Sequence, residues 1–424
     1  MFKKLAYSAL SVVFVSSFQL LALILTSQKA TPEQLGLLTM IISVNAFLFL
    51  FVDFGLSQFL LHKKDLSLHA VEKLRKINIK ISLGIFLISI AVSLYYRGIS
   101  VEISNSIWLT GLNSIALAIT RIDRALFQNE SRFKDIFYVD CLSRTIGLIL
   151  LFTALSSDLN VVYSYLVCII IVNILAKPII YVIIASKGFY YGRGNLSKVR
   201  EFCVPQSLNS MLNFLTQNMD VFIITSLSGL KLGGVYGIVK IVTLKPLQSF
   251  MPILLKVYTP KIISEKNYSS VYLQLVFFIA LVSSVIYSSM ILFSDLILKE
   301  FFNLLEPNVH FAFSIFCIYT CLRAICMPVG ILITRSGKTN IGLYYTIFQV
   351  IFVGVLLYLF NSGIIVIALA FLSYQLLLLI PHWFFLVRRF SKCGVTSYHM
   401  NSLPFLILPI LSFIWKYNEN WFSY

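Results

Sequence analysis

The chain has 424 residues, of which 58% are hydrophobic and only 12% charged, with a formal net charge of +17. A soluble domain is about half apolar and about a quarter charged, so this composition excludes an ordinary globule in water and suits a bilayer, which needs no polar cover. In a soluble protein the basic excess would suggest nucleic acid; here it lies between apolar runs, which makes it a signal of membrane orientation instead.

Runs of about 18 to 25 apolar residues read as spanning helices, because about 20 residues cross a hydrocarbon core of about 30 Å. They fall at 5–26, 36–61, 77–96, 104–127, 136–156, 161–184, 204–228, 235–258, 271–294, 310–334, 341–360 and 363–387. Lipid satisfies no backbone hydrogen bonds, so each is expected to be a helix. The first run follows Phe2-Lys3-Lys4 like a signal peptide but lacks a small-x-small cleavage site, and reads as an uncleaved first helix. With the N-terminus in the cytoplasm, the inner segments hold 26 Lys and Arg and the outer connections four, Lys29, Arg97, Lys231 and Lys299. That bias supports both the helix count and the orientation.

The longest inner connection, 185–203, carries Gly188, Gly192 and Gly194 and separates two sets of six helices. It suggests an N-terminal bundle over 1–190, a C-terminal bundle over 191–392 and a tail over 393–424, as in transporters built of two repeats. A faint repeat agrees: Thr31-Pro-Glu-Gln-Leu-Gly36 opens the second helix and Gly229-Leu-Lys-Leu-Gly-Gly234 the eighth. In the tail, the apolar stretch 403–415 holds Pro404 and Pro409 and is short for a span, so it reads as interfacial or re-entrant.

Polar groups inside apolar helices mark candidate functional positions, since each charge costs about 2.5 to 3.5 kcal/mol there. On the seventh helix Gln206, Asn209, Asn213, Gln217 and Asp220 are spaced 3, 4, 4 and 3, which confines them to a sector of roughly 80°. Such a stripe fits the wall of a hydrated pathway better than packing glue. Lys240 and Lys245 share the eighth helix; Lys240 can snorkel outward, leaving Lys245 as the stronger lumenal cation, with Pro246 beside it as a kink. Arg323, near the middle of the tenth helix, either faces a cavity or pairs with a buried carboxylate such as Asp220. Asp53 has three roles open to it: binding a coupling cation, pairing with a basic residue, or capping a break at Gly55. Gln19 shares a face with Ser8 and Ser11 on the first helix. Arg121, Asp123 and Arg124 lie at the cytoplasmic end of the fourth helix, where local pairing, anionic headgroups and substrate capture all fit; Lys177 can snorkel inward.

The intramembrane cations Lys240, Lys245 and Arg323 outnumber Asp53 and Asp220, a balance that suits an anionic substrate such as a lipid diphosphate. The five histidines and seven cysteines show no metal-ligand spacing, and no phosphate-binding loop or nucleophile elbow occurs. The expectation is a transporter without metal or cofactor, and not an enzyme.

The chain resembles Wzx-type polysaccharide (O-antigen) flippases of the multidrug/oligosaccharidyl-lipid/polysaccharide exporter superfamily. The resemblance rests on Pro32-Glu-Gln-Leu-Gly36, Asp53-Phe-Gly-Leu-Ser57, Ala125-Leu-Phe-Gln-Asn-Glu-Ser-Arg-Phe-Lys134, the helix of Asp220, and Gly234-Val-Tyr236. It implies an all-α, MATE-like fold of about twelve transmembrane helices in two six-helix bundles around a cationic cavity. It also implies alternating access that moves an undecaprenyl-diphosphate-linked oligosaccharide across the bacterial cytoplasmic membrane, among membrane lipids and other polysaccharide assembly proteins. By the same resemblance Lys245, Arg323 and Lys240 hold the substrate. The polar stripe adds Asn213 and Gln217 as candidate substrate contacts, and the intramembrane carboxylates Asp53 and Asp220 are the candidates for coupling or gating. Three other readings stand beside it: a cation-coupled small-molecule exporter, in which Asp53 and Asp220 dominate; a membrane glycan polymerase or transferase, which would need a sizeable outer loop; and a purely structural membrane partner, which would not need the polar stripe.

Overall fold

The computed structural model describes residues 2–62, 66–98, 100–157, 159–184, 196, 199–264, 267–336, 339–391 and 393–421. Among these the regular structure is helical, with no strand. Ten helices among the described residues are long and apolar enough to cross a membrane. The chain divides into two compact units, Met1–Asn218 and Met219–Tyr424; the boundary expected at 190/191 lies outside the described residues.

In the first unit α1 runs Phe2–Ser27, α2 Pro32–Asp53, α3 Leu56–His62, α4 Leu68–Tyr96, α5 Val101–Asn129 and α6 Phe133–Ser156. The Thr31-Pro-Glu-Gln motif is a capping box. Thr31 Oγ1 accepts from the Gln34 amide at 3.3 Å, Gln34 Oε1 accepts from the Thr31 amide at 3.1 Å, and Pro32 fills the first turn, where its missing N–H costs nothing. α2 stops where Phe54 and Gly55 turn left-handed, at φ 41° and 71°. Gly55 also lies so close to the Cys203 backbone that a Cβ would sit 3.2 Å from its carbonyl oxygen, so glycine is needed twice over. α4 and α5 meet through small residues: Ser93 and Ser104 exchange hydroxyl-to-carbonyl bonds at 2.9 Å, and a Cβ on Gly111 would collide with Ser89 at 2.4 Å.

After α7 (Val161–Ile171) the helix widens into a π-turn, Val172–Ala176, before continuing as α8 (Lys177–Ile184). Pro178 explains the widening. It has no N–H and crowds the carbonyl four residues back, and a looser turn relieves both defects; the Lys177 amide accordingly reaches back five residues, to the Val172 carbonyl.

α9, Val199–Ser264, is broken once, at Gly229 (φ 86°, ψ 169°). Asp220 Oδ1 lies 2.6 Å from Lys240 Nζ, whereas twenty residues of straight helix would separate them by about 30 Å. The two halves are therefore a hairpin that turns at one glycine. Gly233 permits the close return, since a Cβ there would lie 2.3 Å from Thr225 Oγ1.

The second unit continues with α10 (Tyr268–Leu292), α11 (Pro307–Cys326), α12 (Val329–Ser336), α13 (Thr339–Leu359) and α14 (Ile364–Pro381). α15 (Arg388–Ser391), α16 (Val395–Met400) and α17 (Ile407–Trp421) complete the chain. The tail departs from the sequence expectation of an interfacial or re-entrant segment, because its helical stretch Thr396–Asn418 is 23 residues long and apolar enough for a span. Its prolines do not interrupt it: Pro404 opens a 3₁₀ turn, Leu403–Leu406, and Pro409 stands in the first turn of α17, positions where no amide is required.

Candidate functional site

The first unit holds a half-open cavity of about 440 Å³ among α1, α2, α5, α6 and the α7–α8 helix. Each helix lends one face. α5 contributes Asn113, Leu117, Thr120, Arg121 and Arg124, and α6 contributes Asp140, Ser143, Arg144, Gly147 and Leu151. The spacing of three and four puts each set on one side of its helix. Gly147 lets α6 approach the π-turn, since a Cβ there would meet Val172 at 3.2 Å.

Four cations line this space: Arg121, Arg124, Arg144 and Lys177. Two are clasped by carboxylates. Arg124 holds Asp140 through both nitrogens, at 2.7 and 2.9 Å, and Ser11 of α1 donates to the same carboxylate at 2.7 Å. Arg121 donates to Asp53 through Nε at 2.7 Å, and Ser57 donates to Asp53 as well. Asp53 thus pairs with a base of α5 and joins α2 to α3. The other two cations have no carboxylate partner: Arg144 makes no hydrogen bond or ion pair to a described residue, and Lys177 donates to Asn173 Oδ1 at 2.6 Å. Lys177 ends a ladder in which Asn173 donates to Asn113 at 2.9 Å and Asn113 to Asn45 at 3.0 Å, linking α2, α5 and the π-turn. Four basic side chains against Asp53 and Asp140 leave two bases without a carboxylate partner beside the cavity.

Reading the sequence placed these four bases at cytoplasmic margins. In the structure they line one cavity, Arg121 and Arg124 from α5, which continues to Asn129, Arg144 from α6, which begins at Phe133, and Lys177 from the first turn of α8. Asp140 and the asparagine ladder were missed. A carboxylate three and four residues before Ser143 and Arg144, in an otherwise apolar run, was the available signal.

The residues singled out in the second half gather differently. Asp220 is buried between Lys240, at 2.6 Å, and the Tyr236 hydroxyl, which also donates to it. Lys240 does not snorkel: it is 7% exposed and points at Asp220 across the hairpin. Tyr236 is packed against Phe316 and Phe371, and Phe371 against Tyr319, with ring centroids 5.3–6.3 Å apart. Arg323, one turn after Tyr319 on α11, lies near this group and feels the charge of Asp220. Lys245 is half-buried on the same helix. Gln206, Asn213 and Gln217 belong to the first unit and Asp220 to the second; the side chain of Asn209 lies outside the described residues. The cysteines are free thiols in helix packing, with Cys321 against Ser283 and Cys326 accepting from Gln375.

Comparison with known proteins agrees with this architecture. An uncharacterized membrane protein in the cps region of Klebsiella pneumoniae is 25% identical over 96% of this chain and 87% of its own length. The lipopolysaccharide biosynthesis protein WzxC of Escherichia coli K12 is 22% identical over 96% of this chain and 85% of its own. Among solved structures, an outward-facing multidrug resistance MATE family transporter of the MOP superfamily superposes with a TM-score of 0.66, at 13% identity, over 92% of this chain and 96% of that one. A MOP superfamily transporter from Pyrococcus furiosus gives 0.64 at 12% identity, over 92% and 97%. These likenesses give the fold, that of MATE-like multi-pass membrane transporters. A profile of polysaccharide biosynthesis proteins matches residues 30–264. That stretch is more than half of the chain and runs from the capping box of α2 to the end of the α9 hairpin, so this chain belongs to the polysaccharide biosynthesis protein family.

Proposed function

We propose that this protein is a flippase that carries an undecaprenyl-diphosphate-linked oligosaccharide repeat unit, of O-antigen or a related surface polysaccharide, across the bacterial cytoplasmic membrane. The observation that carries the reading is the cavity with surplus positive charge. A diphosphate needs cations that are not already neutralised, and Arg144 and Lys177 offer them beside a space of about 440 Å³, within the range that holds small-molecule groups. Arg121 and Arg124, fixed by Asp53 and Asp140, add oriented donors. The asparagine ladder and Ser143 supply neutral polar groups for a sugar. Asn213 and Gln217 of the first unit contribute neutral contacts; in the second unit Arg323 and Lys245 are further substrate cations, with Lys240 held to Asp220. Asp53 and Asp220 then act in gating, because each is a carboxylate that exchanges bases as the helices move.

The action is transport by alternating access, with the N-terminus in the cytoplasm and the other assembly proteins of the polysaccharide as partners. The reading of a cation-coupled small-molecule exporter is weaker, since Asp53, Asp140 and Asp220 are each already engaged by Arg or Lys. The test is deletion of the gene with lipid-linked repeat units assayed in intact and inverted membranes. Units should accumulate on the cytoplasmic face and surface polysaccharide should vanish. The wild-type gene should restore both, and a gene carrying Arg144→Ala and Lys177→Ala should not. Repeat units that still reach the outer leaflet in the deletion strain would sink the proposal.

A further inference from the structure

We infer that the segment 396–418 crosses the membrane as an additional helix alongside α10, which brings the end of α17 to the outer side. The inference is independent of the proposed substrate. Three contacts along α10 carry it. Near the start of α10, Tyr272 stacks on Tyr398, with centroids 6.5 Å apart and planes 9° apart. One turn further along, Phe277 meets Phe405 edge-on at 5.1 Å. Just past the end of α10, Lys416 donates to Asp295 Oδ2 at 3.0 Å and to the Ser294 hydroxyl. Position rises together in both segments, so the tail runs parallel to α10 and spans the same thickness. An interfacial helix would touch one end of α10 only, and a re-entrant one would come back to its starting side.

The far end is built to hold a charge. Lys416 is 9% exposed, and a lysine at that depth is costly without a partner. Its partner Asp295 also lies 2.7 Å from His310 Nδ1, and His310 Nε2 lies 2.9 Å from the Leu304 carbonyl oxygen. Beside this clasp Tyr417 lies 3.2 Å from the Ser314 hydroxyl, and Phe413 packs on Phe311. Ile407, Leu411, Ile414 and Trp415 are exposed, the face a spanning helix turns to lipid. At the near end Tyr268 donates to the Phe390 carbonyl at 3.1 Å, tying the start of α10 to the arginine-rich stretch Arg388-Arg389 that precedes the tail. Lys256 and Lys261 in the last turns of α9, Arg335 at the end of α12 and Arg388 and Arg389 in α15 mark that end, whereas the α10–α11 connection holds Lys299 beside Asp295, Glu300 and Glu306. The basic end is the cytoplasmic one, which leaves the end of α17 outside.

The test places one epitope after Tyr424 and another in the α12–α13 connection of the same full-length protein, and labels intact and permeabilised spheroplasts. The C-terminal epitope should be labelled in intact spheroplasts and the internal one only after permeabilisation. A C-terminal alkaline phosphatase fusion should be active, and a C-terminal green fluorescent protein fusion dark. A C-terminal epitope reached only after permeabilisation, or a bright fluorescent fusion, would overturn the crossing.

Discussion

Both units bury carboxylates against bases, yet they use the pair differently. In the second unit the Asp220–Lys240 pair is closed over by Tyr236 and an aromatic cluster, and both partners are about nine-tenths buried. In the first unit Asp53 and Asp140 neutralise only half of the bases around an open cavity, and Arg124 keeps a third of its side chain exposed. The difference teaches that a buried ion pair is by itself a structural device. Binding capacity comes from cations left over once the pairs are counted, next to space that a ligand can enter.

The sharpest way to break this comparison is Asp220→Ala. It strands Lys240 in a dry setting and should cost about 3–5 kcal/mol of stability; adding Lys240→Met should recover most of it, read as thermal unfolding in detergent. If the double variant stays as unstable as the single one, the pair is not what holds the hairpin. Asp140→Ala should cost less, about 3 kcal/mol, because its partner Arg124 is reached by water. Arg144→Ala should reverse the pattern: stability within about 0.5 kcal/mol of wild type, with translocation reduced on the order of ten- to a hundredfold, the worth of a charge-assisted contact of about 1.5–3 kcal/mol. A stable Arg144→Ala protein that still translocates at the wild-type rate would remove the basis for contrasting the two units.

The smallest expected effect is one of pH. Burial pushes the Asp295 carboxyl up, but the hydrogen bond and charge of Lys416 and the bond from His310 outweigh it and hold the group below its ordinary value. A carboxylate lowered in the folded state adds stability that is fully present above the ordinary value of about 3.9 and is lost as pH falls through the native value. Unfolding followed downward from neutral pH should show a slope in that acid window that Asp295→Asn flattens. An identical slope in the variant would mean that the clasp does not titrate there.

Much of the fold was legible because lipid imposes a simple rule: apolar runs of the right length must be helices. The break at Gly229 and the cap at Thr31 could be read from single residues. The site was legible in its ingredients and not in its location. A helix viewed singly gives Arg121, Arg124 and Lys177 only the cytoplasmic end of its span, because the cavity they share is built from several helices. Asp140 gives Arg124 a partner sixteen residues away, and no local pattern encodes that pairing. Lys240 misled for the same reason: its partner lies across a hairpin, and a helix viewed singly gives it only the option of reaching for the surface.

The π-turn at Val172–Ala176 gives the α7–α8 helix a swivel. Its five residues wind less per step than an α-helix, and tightening them to α would advance everything downstream by about one residue's arc, about 100°. Lys177 and Tyr181 would sweep around the axis together while Val161–Ile171 stayed in place. The ammonium facing Asn173 would leave the cavity without any helix having to tilt, so a change of winding in one turn is enough to alter the charge that lines it.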